Sequence, residues 1–355
     1  MLKAFFSPYT LIFKEPGGTS RGVMTRHKVW YIFISDSEVH GRIGVGECAP
    51  LPGLSIDNML LFEAKLQDVC ENIELYISRP ELLFSFPAIR FGVEMATLDY
   101  KNGGIRNWFP SDFTNGNAAI QINGLIWMGS EKEMLRRIAQ KLDEGFSCLK
   151  MKIGAIDFSK ELGLLRKLRA NFSVRELELR VDANGAFSPE DAFDKLNLLA
   201  AFDIHSIEQP IKAGKWEQMA TLCANTPIPI ALDEELIGVH STEERSRLLD
   251  TITPQYVILK PTLIGGFASS NEWIRLSERR KIKWWVTSAL ESNIGLNAIA
   301  QWTFLKQNPL PQGLGTGQVF INNIPSQLGL AGELLYLNPN MPLPDDVTFI
   351  NNAEL

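Results

Sequence analysis

Between residues 118 and 313, short apolar segments alternate with longer amphipathic ones. That alternation confines the chain to a parallel sheet with helical crossovers. The strand candidates are AAIQING (Ala118–Gly124), SCLKMKIG (Ser147–Gly154), ELELRVDAN (Glu176–Asn184), IHSIEQP (Ile204–Pro210), IPIALDEE (Ile228–Glu235), YVILKP (Tyr256–Pro261), IKWWVTS (Ile282–Ser288) and a short one near Gly313. Their spacing, roughly 25–30 residues, is that of a βα unit repeated around a barrel. A doubly wound sheet would place G-x-G-x-x-G after its first strand. INGLIWMGS stands there and lacks that fingerprint. One helix is sharply signalled: Ser188 as N-cap, Pro189 as first helical residue, Asp191 in the first turn, then Phe193, Leu196 and Leu199 as the apolar face.

The first 50 residues read differently. KVWYIFIS (Lys28–Ser35) and GRIGVGECA (Gly41–Ala49) are β-rich runs around the polar turn SDSEVH, as in antiparallel strands. A helix is expected over Ile56–Ile77, with Leu60, Leu61, Ala64, Leu66 and Val69 on its apolar face, and a second over Pro87–Tyr100. The Gly-, Asn- and Asp-rich segment 101–117 reads as a linker. The expected division is an α+β unit over 1–110, a barrel over 111–325, and a C-terminal segment, 326–355, that packs back on the first unit.

Lys and Arg number 35 against 41 Asp and Glu, for a formal charge of −6. With no basic stripe interleaved with aromatics, neither nucleic acid nor an anionic membrane is expected as a partner. The cysteines Cys48, Cys70, Cys148 and Cys223 are far apart and form no C-x-x-C pair, so neither a zinc site nor a redox motif is indicated. There is no signal-peptide pattern and no apolar run of bilayer length, so a cytoplasmic protein is expected. His27, His40, His205 and His240 sit in no motif, and the pair Trp284 and Trp285 reads as core.

Charged residues recur at the C-terminal ends of the strand candidates. Lys150 and Lys152 are two apart and share one face of the second strand. Asp182 ends the third, with Arg180 on the same face; Glu208 ends the fourth, Asp233 the fifth and Lys260 the sixth. The acids recur at one βα interval each, so a barrel brings them to its C-terminal mouth, where barrel active sites lie. Three converging carboxylates repel one another, and a divalent cation removes that penalty. An all-oxygen set without Cys or His suits Mg²⁺, with Mn²⁺ as the alternative. Beside such an ion an ammonium is disfavoured, so a lysine there can act as a base. A small carboxylic acid is the expected partner.

These pieces resemble the enolase superfamily in its muconate-lactonising branch. The matching segments are KMKIG, RVDANGAF, IEQP, ALDEEL and VILKPTLIGG, which carry Lys150, Lys152, Asp182, Glu208, Asp233 and Lys260. GGTSRGV, GECAPLPGLS and PAIRFGVEMATLDY look like the capping domain of the same branch. The resemblance covers nearly the whole chain. It implies a TIM-like (β/α)7β barrel with an α+β N-terminal capping domain. It also implies that Asp182, Glu208 and Asp233 bind Mg²⁺, and that Lys152 is the acid/base. Lys150 would hold the substrate carboxylate and the developing enolate, and Lys260 would stabilise the intermediate from the opposite side.

Asn184 and Glu234 would support the ligands. Capping loops Gly17–Arg21 and Leu51–Ser55 would close over the site, and Ser20, Arg21, Arg180 and Ser288 are candidate substrate contacts. LKPTLIGG followed by TSALESNIGL looks most like the branch's dehydratase, which aromatises a hydroxycyclohexadiene carboxylate. Racemases of N-succinylamino acids and dipeptide epimerases share the framework. The epimerases carry Asp-x-Asp near the eighth strand to hold a substrate ammonium; GLGTGQ (Gly313–Gln318) has no acid there.

Overall fold

The computed structural model describes residues 1–19, 22–154 and 156–343 of the 355-residue chain. Its N-terminal sheet joins β1 (Leu2–Thr19), β2 (Gly22–Asp36) and β3 (Val39–Cys48), antiparallel and in that order. The central strand is apolar on both faces because both are covered. Val29, Tyr31 and Phe33 join the large core shared with the second domain. Trp30, Ile32 and Ile34 pack on helices α1 (Phe62–Glu71), α2 (Ile73–Ser78) and α3 (Pro87–Lys101). Helix formation begins at Phe62 rather than Ile56. Leu66 and Val69 are buried as expected, but Leu60 is 95% exposed and Leu61 55%. The linker segment is itself anchored, with Trp108 and Phe113 buried in the main core.

Next comes β4 (Ala119–Gln121), and after it seven parallel strands hydrogen-bond in sequence order: β5 (Gly124–Ile126), β6 (Cys148–Lys152), β7 (Glu178–Asp182), β8 (Ser206–Glu208), β9 (Ile230–Leu232), β10 (Tyr256–Leu259) and β11 (Lys283–Val286). The helices between them are α4 (Glu131–Asp143), α5 (Phe158–Asn171), α6 (Pro189–Ala200), α7 (Trp216–Asn225), α8 (Thr242–Ile252), α9 (Pro261–Ile264) and α10 (Gly266–Glu278); α11 (Asn293–Phe304) follows β11. Ser188 caps α6 by accepting from the Asp191 N–H, with Pro189 in the first turn. Leu196 and Leu199 are buried, whereas Phe193 is 40% exposed. The sheet curls. Isolated parallel bridges join Gln312 to Ile122, just before β5, and Gly313 to Thr287, just after β11. No helix among the described residues is long and apolar enough to cross a membrane.

Two boundary expectations are corrected. AAIQING is not one strand of the parallel sheet. Its first part is β4, which pairs antiparallel with β13 (Leu334–Leu337), itself paired with β12 (Leu328–Ala331). The parallel sheet begins only at Gly124. Of the C-terminal segment, the described residues 328–337 join the sheet of β4 and not the N-terminal sheet. The contact with the N-terminal sheet is made just before, where Lys14 N donates to Val319 O (2.8 Å) and Ile12 N to Asn322 Oδ1 (2.8 Å). Residues 344–355 lie outside the described residues.

Candidate active site

The six charged residues meet at one end of the curled sheet. Lys150 and Lys152 project from β6, Asp182 ends β7, Glu208 ends β8, and Asp233 and Lys260 directly follow β9 and β10. Asp182 and Glu208 are register partners on adjacent strands. The charges alternate. Lys152 Nζ lies 3.2 Å from Asp182 Oδ2, and Lys150 Nζ 3.1 Å from the same atom. Lys150 also bonds Glu208 Oε2. Lys260 Nζ bonds Asp233 Oδ2 and lies 3.6 Å from Glu208 Oε1. All three acids are at most 2% exposed.

Burial raises the Glu208 carboxyl to about 7, with the Asp182 charge adding to it. Asp182 goes the other way: burial opposes ionisation, but Lys150, Lys152 and Lys260 outweigh it and hold the carboxyl well below the usual range. Burial raises Asp233. Lys150 and Lys260 are both shifted upward, the neighbouring carboxylates overcoming burial.

Asn184 links these acids to the next shell of residues. Its N–H donates to Asp182 Oδ1 (3.0 Å), its Oδ1 accepts from Lys152 Nζ (2.7 Å), and its Nδ2 donates to Glu234 Oε1 (3.1 Å). Asn184 and Gln209 take left-handed backbone conformations just past Asp182 and Glu208, φ +45° and +39°. Such conformations are uncommon for residues other than glycine and cluster where side chains must be aimed.

As they stand, no three acidic, His or Cys side chains among the described residues close on a common point. Each carboxylate is instead turned to a lysine. The donor set nevertheless fits a hard divalent cation. It is all oxygen, it is buried, and Glu208 Oε1 has no hydrogen-bond partner among the described residues.

Above the charges lies a cavity of about 390 Å³. Lys150, Lys152 and Lys260 line it from the parallel sheet, Ser288 and Thr316 from segments after β11, and Met24, Arg26, Leu51 and Leu54 from the N-terminal domain. Ser288, a candidate substrate contact, lines this cavity, its hydroxyl 2.5 Å from that of Thr316. Of loop Leu51–Ser55, Leu51, Pro52 and Leu54 line the cavity. Ser20 and Arg21 lie outside the described residues. Arg180 is a correction. It is 1% exposed, donates to Glu178 Oε1 (2.7 Å) and Pro311 O (2.8 Å), stacks on Trp285 at 4.5 Å, and does not line the cavity.

Sequence reasoning missed Trp127, whose ring lies 5.9 Å from Lys152 Nζ. It also missed Arg26. The available signal for Trp127 was an aromatic residue just past a strand end, in INGLIWMGS.

The family model described as "Enolase C-terminal domain-like" matches residues 133–332, and the chain belongs to that family. Within it, the chain is 49% identical to the o-succinylbenzoate synthase of Desulfotalea psychrophila over 92% of its own length and 96% of the relative's. The crystal structure of MenC from Desulfotalea psychrophila LSv54 matches with a TM-score of 0.84 and 44% identity, over 95% of this chain and 99% of that one. A dipeptide epimerase from Enterococcus faecalis V583, complexed with Mg and the dipeptide L-Leu-L-Tyr, has a TM-score of 0.81. It covers 95% of this chain and 97% of its own, but at 19% identity it shares only the fold.

Proposed function

We propose that the chain carries out the o-succinylbenzoate synthase reaction of menaquinone biosynthesis. The reaction is the syn dehydration of 2-succinyl-6-hydroxy-2,4-cyclohexadiene-1-carboxylate through an enolate. The single observation that carries this reading is one cavity lined by Lys150, Lys152 and Lys260 over a buried set of three acids. High identity to a synthase over nearly the whole chain supports the substrate. The bridges at residues 312–313 support a closed (β/α)7β barrel beneath the capping domain.

In this reading Asp182, Glu208 and Asp233 hold Mg²⁺, with Mn²⁺ as an alternative. When bound, the ion would supply Lewis-acid charge that disperses the negative charge developing next to the substrate carboxylate. Lys152 removes the ring proton beside the carboxylate. The ammonium groups of Lys150 and Lys260 face the charge that forms. The ring C–O bond then breaks, and the departing hydroxide takes the proton that Lys152 has just received, leaving as water. One lysine acting as base and then as acid works on one face of the ring, which makes the elimination syn. Asn184 positions the Lys152 ammonium through its 2.7 Å hydrogen bond.

A second reading, racemisation of N-succinylamino acids, uses Lys152 and Lys260 as two bases, and both do line the cavity. Dipeptide epimerisation is disfavoured, since none of the described residues lining the cavity is acidic.

The test is Mg²⁺-dependent turnover of the cyclohexadiene substrate by the parent and by Lys152→Ala. Loss beyond the roughly 10²–10⁴ of a single general base is expected, because Lys152 performs two proton transfers. A fully active Lys152→Ala would sink the mechanism. Deuterium exchange into a resolved N-succinylamino acid without dehydration would favour the second reading.

A further inference from the structure

We infer that Arg26, on the capping strand β2, binds the second carboxylate of a dicarboxylate substrate and so selects against substrates that carry an ammonium. The inference rests on the functional reading above, in which the first carboxylate sits at the lysines.

Three observations lead to it. Arg26 lines the cavity from the N-terminal sheet, not the parallel one. Lys150, Lys152 and Lys260 line it from the parallel sheet, where the reading above places the ion and the first carboxylate. Arg26 has no hydrogen-bond or ion-pair partner among the described residues, and none of the described cavity residues is acidic. Away from the lysines, the Arg26 guanidinium is therefore a cation with no counter-ion among the described residues.

The Arg26 side chain is exposed, but the strand that carries it is well held. The neighbouring residue, His27, is buried, and its ring nitrogens lie 3.0 Å from Leu290 O and 3.1 Å from Pro50 O. These contacts tie β2 at this point both to the loop after β11 and to the loop leading into Leu51. Leu290 itself lines the cavity in a left-handed conformation, φ +66°. A planar guanidinium fork suits a carboxylate bidentately and repels an ammonium. In this proposal a molecule with a carboxylate at each end would have one at the lysines and the other at Arg26. A cavity of about 390 Å³ is at the small end of ligand sites, as a small diacid requires.

The test uses the Mg²⁺-loaded full chain, its Arg26→Ala and Arg26→Lys variants, and two titrants. These are o-succinylbenzoate and the derivative amidated at the succinyl carboxyl. Calorimetry of the parent is expected to show the acid bound about 30-fold tighter than the amide, the scale of a charge-assisted pair. Arg26→Ala should lower affinity for the acid alone and shrink the gap to below about threefold, with Arg26→Lys between. With the cyclohexadiene substrate the same variant should act on KM more than on kcat. A gap that survives in Arg26→Ala, or equal losses for acid and amide, overturns the inference. A parent that binds the acid but turns nothing over overturns the functional reading instead, and the acid–amide gap still reports on Arg26.

Discussion

Arg180 and Asp182 are two residues apart on β7 and share a face, yet only Asp182 reaches the mouth. On a strand two residues span about 6.6 Å, so inward side chains fill successive layers. Arg180 belongs to the layer below and is satisfied there by Glu178 and Pro311. Lys150 starts in that same layer, as the register partner of Arg180, but its flexible stem carries the ammonium up to Asp182 and Glu208. Lys150→Met would remove the ammonium those two buried acids share. We expect about 3 kcal/mol lost in Mg²⁺-free buffer, the scale of an unpaired buried charge. Added Mg²⁺ should then raise the urea midpoint of the variant more than that of the parent. Equal shifts would contradict the role given to these acids.

The six site residues were legible because strand period and βα interval act together. Trp127 and Arg26 were not, since they depend on which loop and which capping strand face the mouth.

Among the elements, the contact of α3 with β3 depends on missing side chains. A Cβ on Gly46 would overlap the Gly92 carbonyl, and one on Gly44 the Ala96 carbonyl. The helix therefore lies directly on the strand. Gly46→Ala should destabilise the chain by well over the 1–3 kcal/mol typical of overpacking, because backbone rather than a flexible tip is in the way. Chemical denaturation would read this, and a loss within about 1 kcal/mol would show that the helix can lift away. GRIGVGECA was legible as a strand from its β-rich composition, but the purpose of its glycines was not. Likewise AAIQING was legible as extended chain. Its division between two sheets depends on Leu334 and Leu335, more than 200 residues downstream. Local patterning carries no information about such a partner.

At the scale of the molecule, two carboxylates from the capping domain cap helices of the second. Glu94 on α3 accepts from Phe267 N (2.6 Å) and Ala268 N (3.0 Å) at the start of α10. Glu47 on β3 accepts from Ser292 N (2.7 Å), Ser292 Oγ (2.6 Å) and Gly295 N (2.7 Å) at the start of α11. Burial still raises Glu47 from 4.5 to about 7, the three donors opposing it. Between those values the folded chain keeps a proton that the unfolded chain releases. The stabilisation from this group is full below about pH 4.5 and fades as pH rises to about 7, a change of about 3 kcal/mol. Glu47→Gln should flatten that part of the stability–pH curve, as read from urea midpoints at pH 5 and pH 7.5. A variant whose curve keeps the slope of the parent would refute the assignment.

The alternation of ammonium and carboxylate groups at the mouth has a consequence for biogenesis. Small zinc-binding modules stay unfolded until their metal arrives, because only the metal can neutralise their ligands. Here lysines already discharge that task for Asp182, Glu208 and Asp233. In the reading proposed above, a cation entering here would trade places with amines instead of rescuing an unfinished protein.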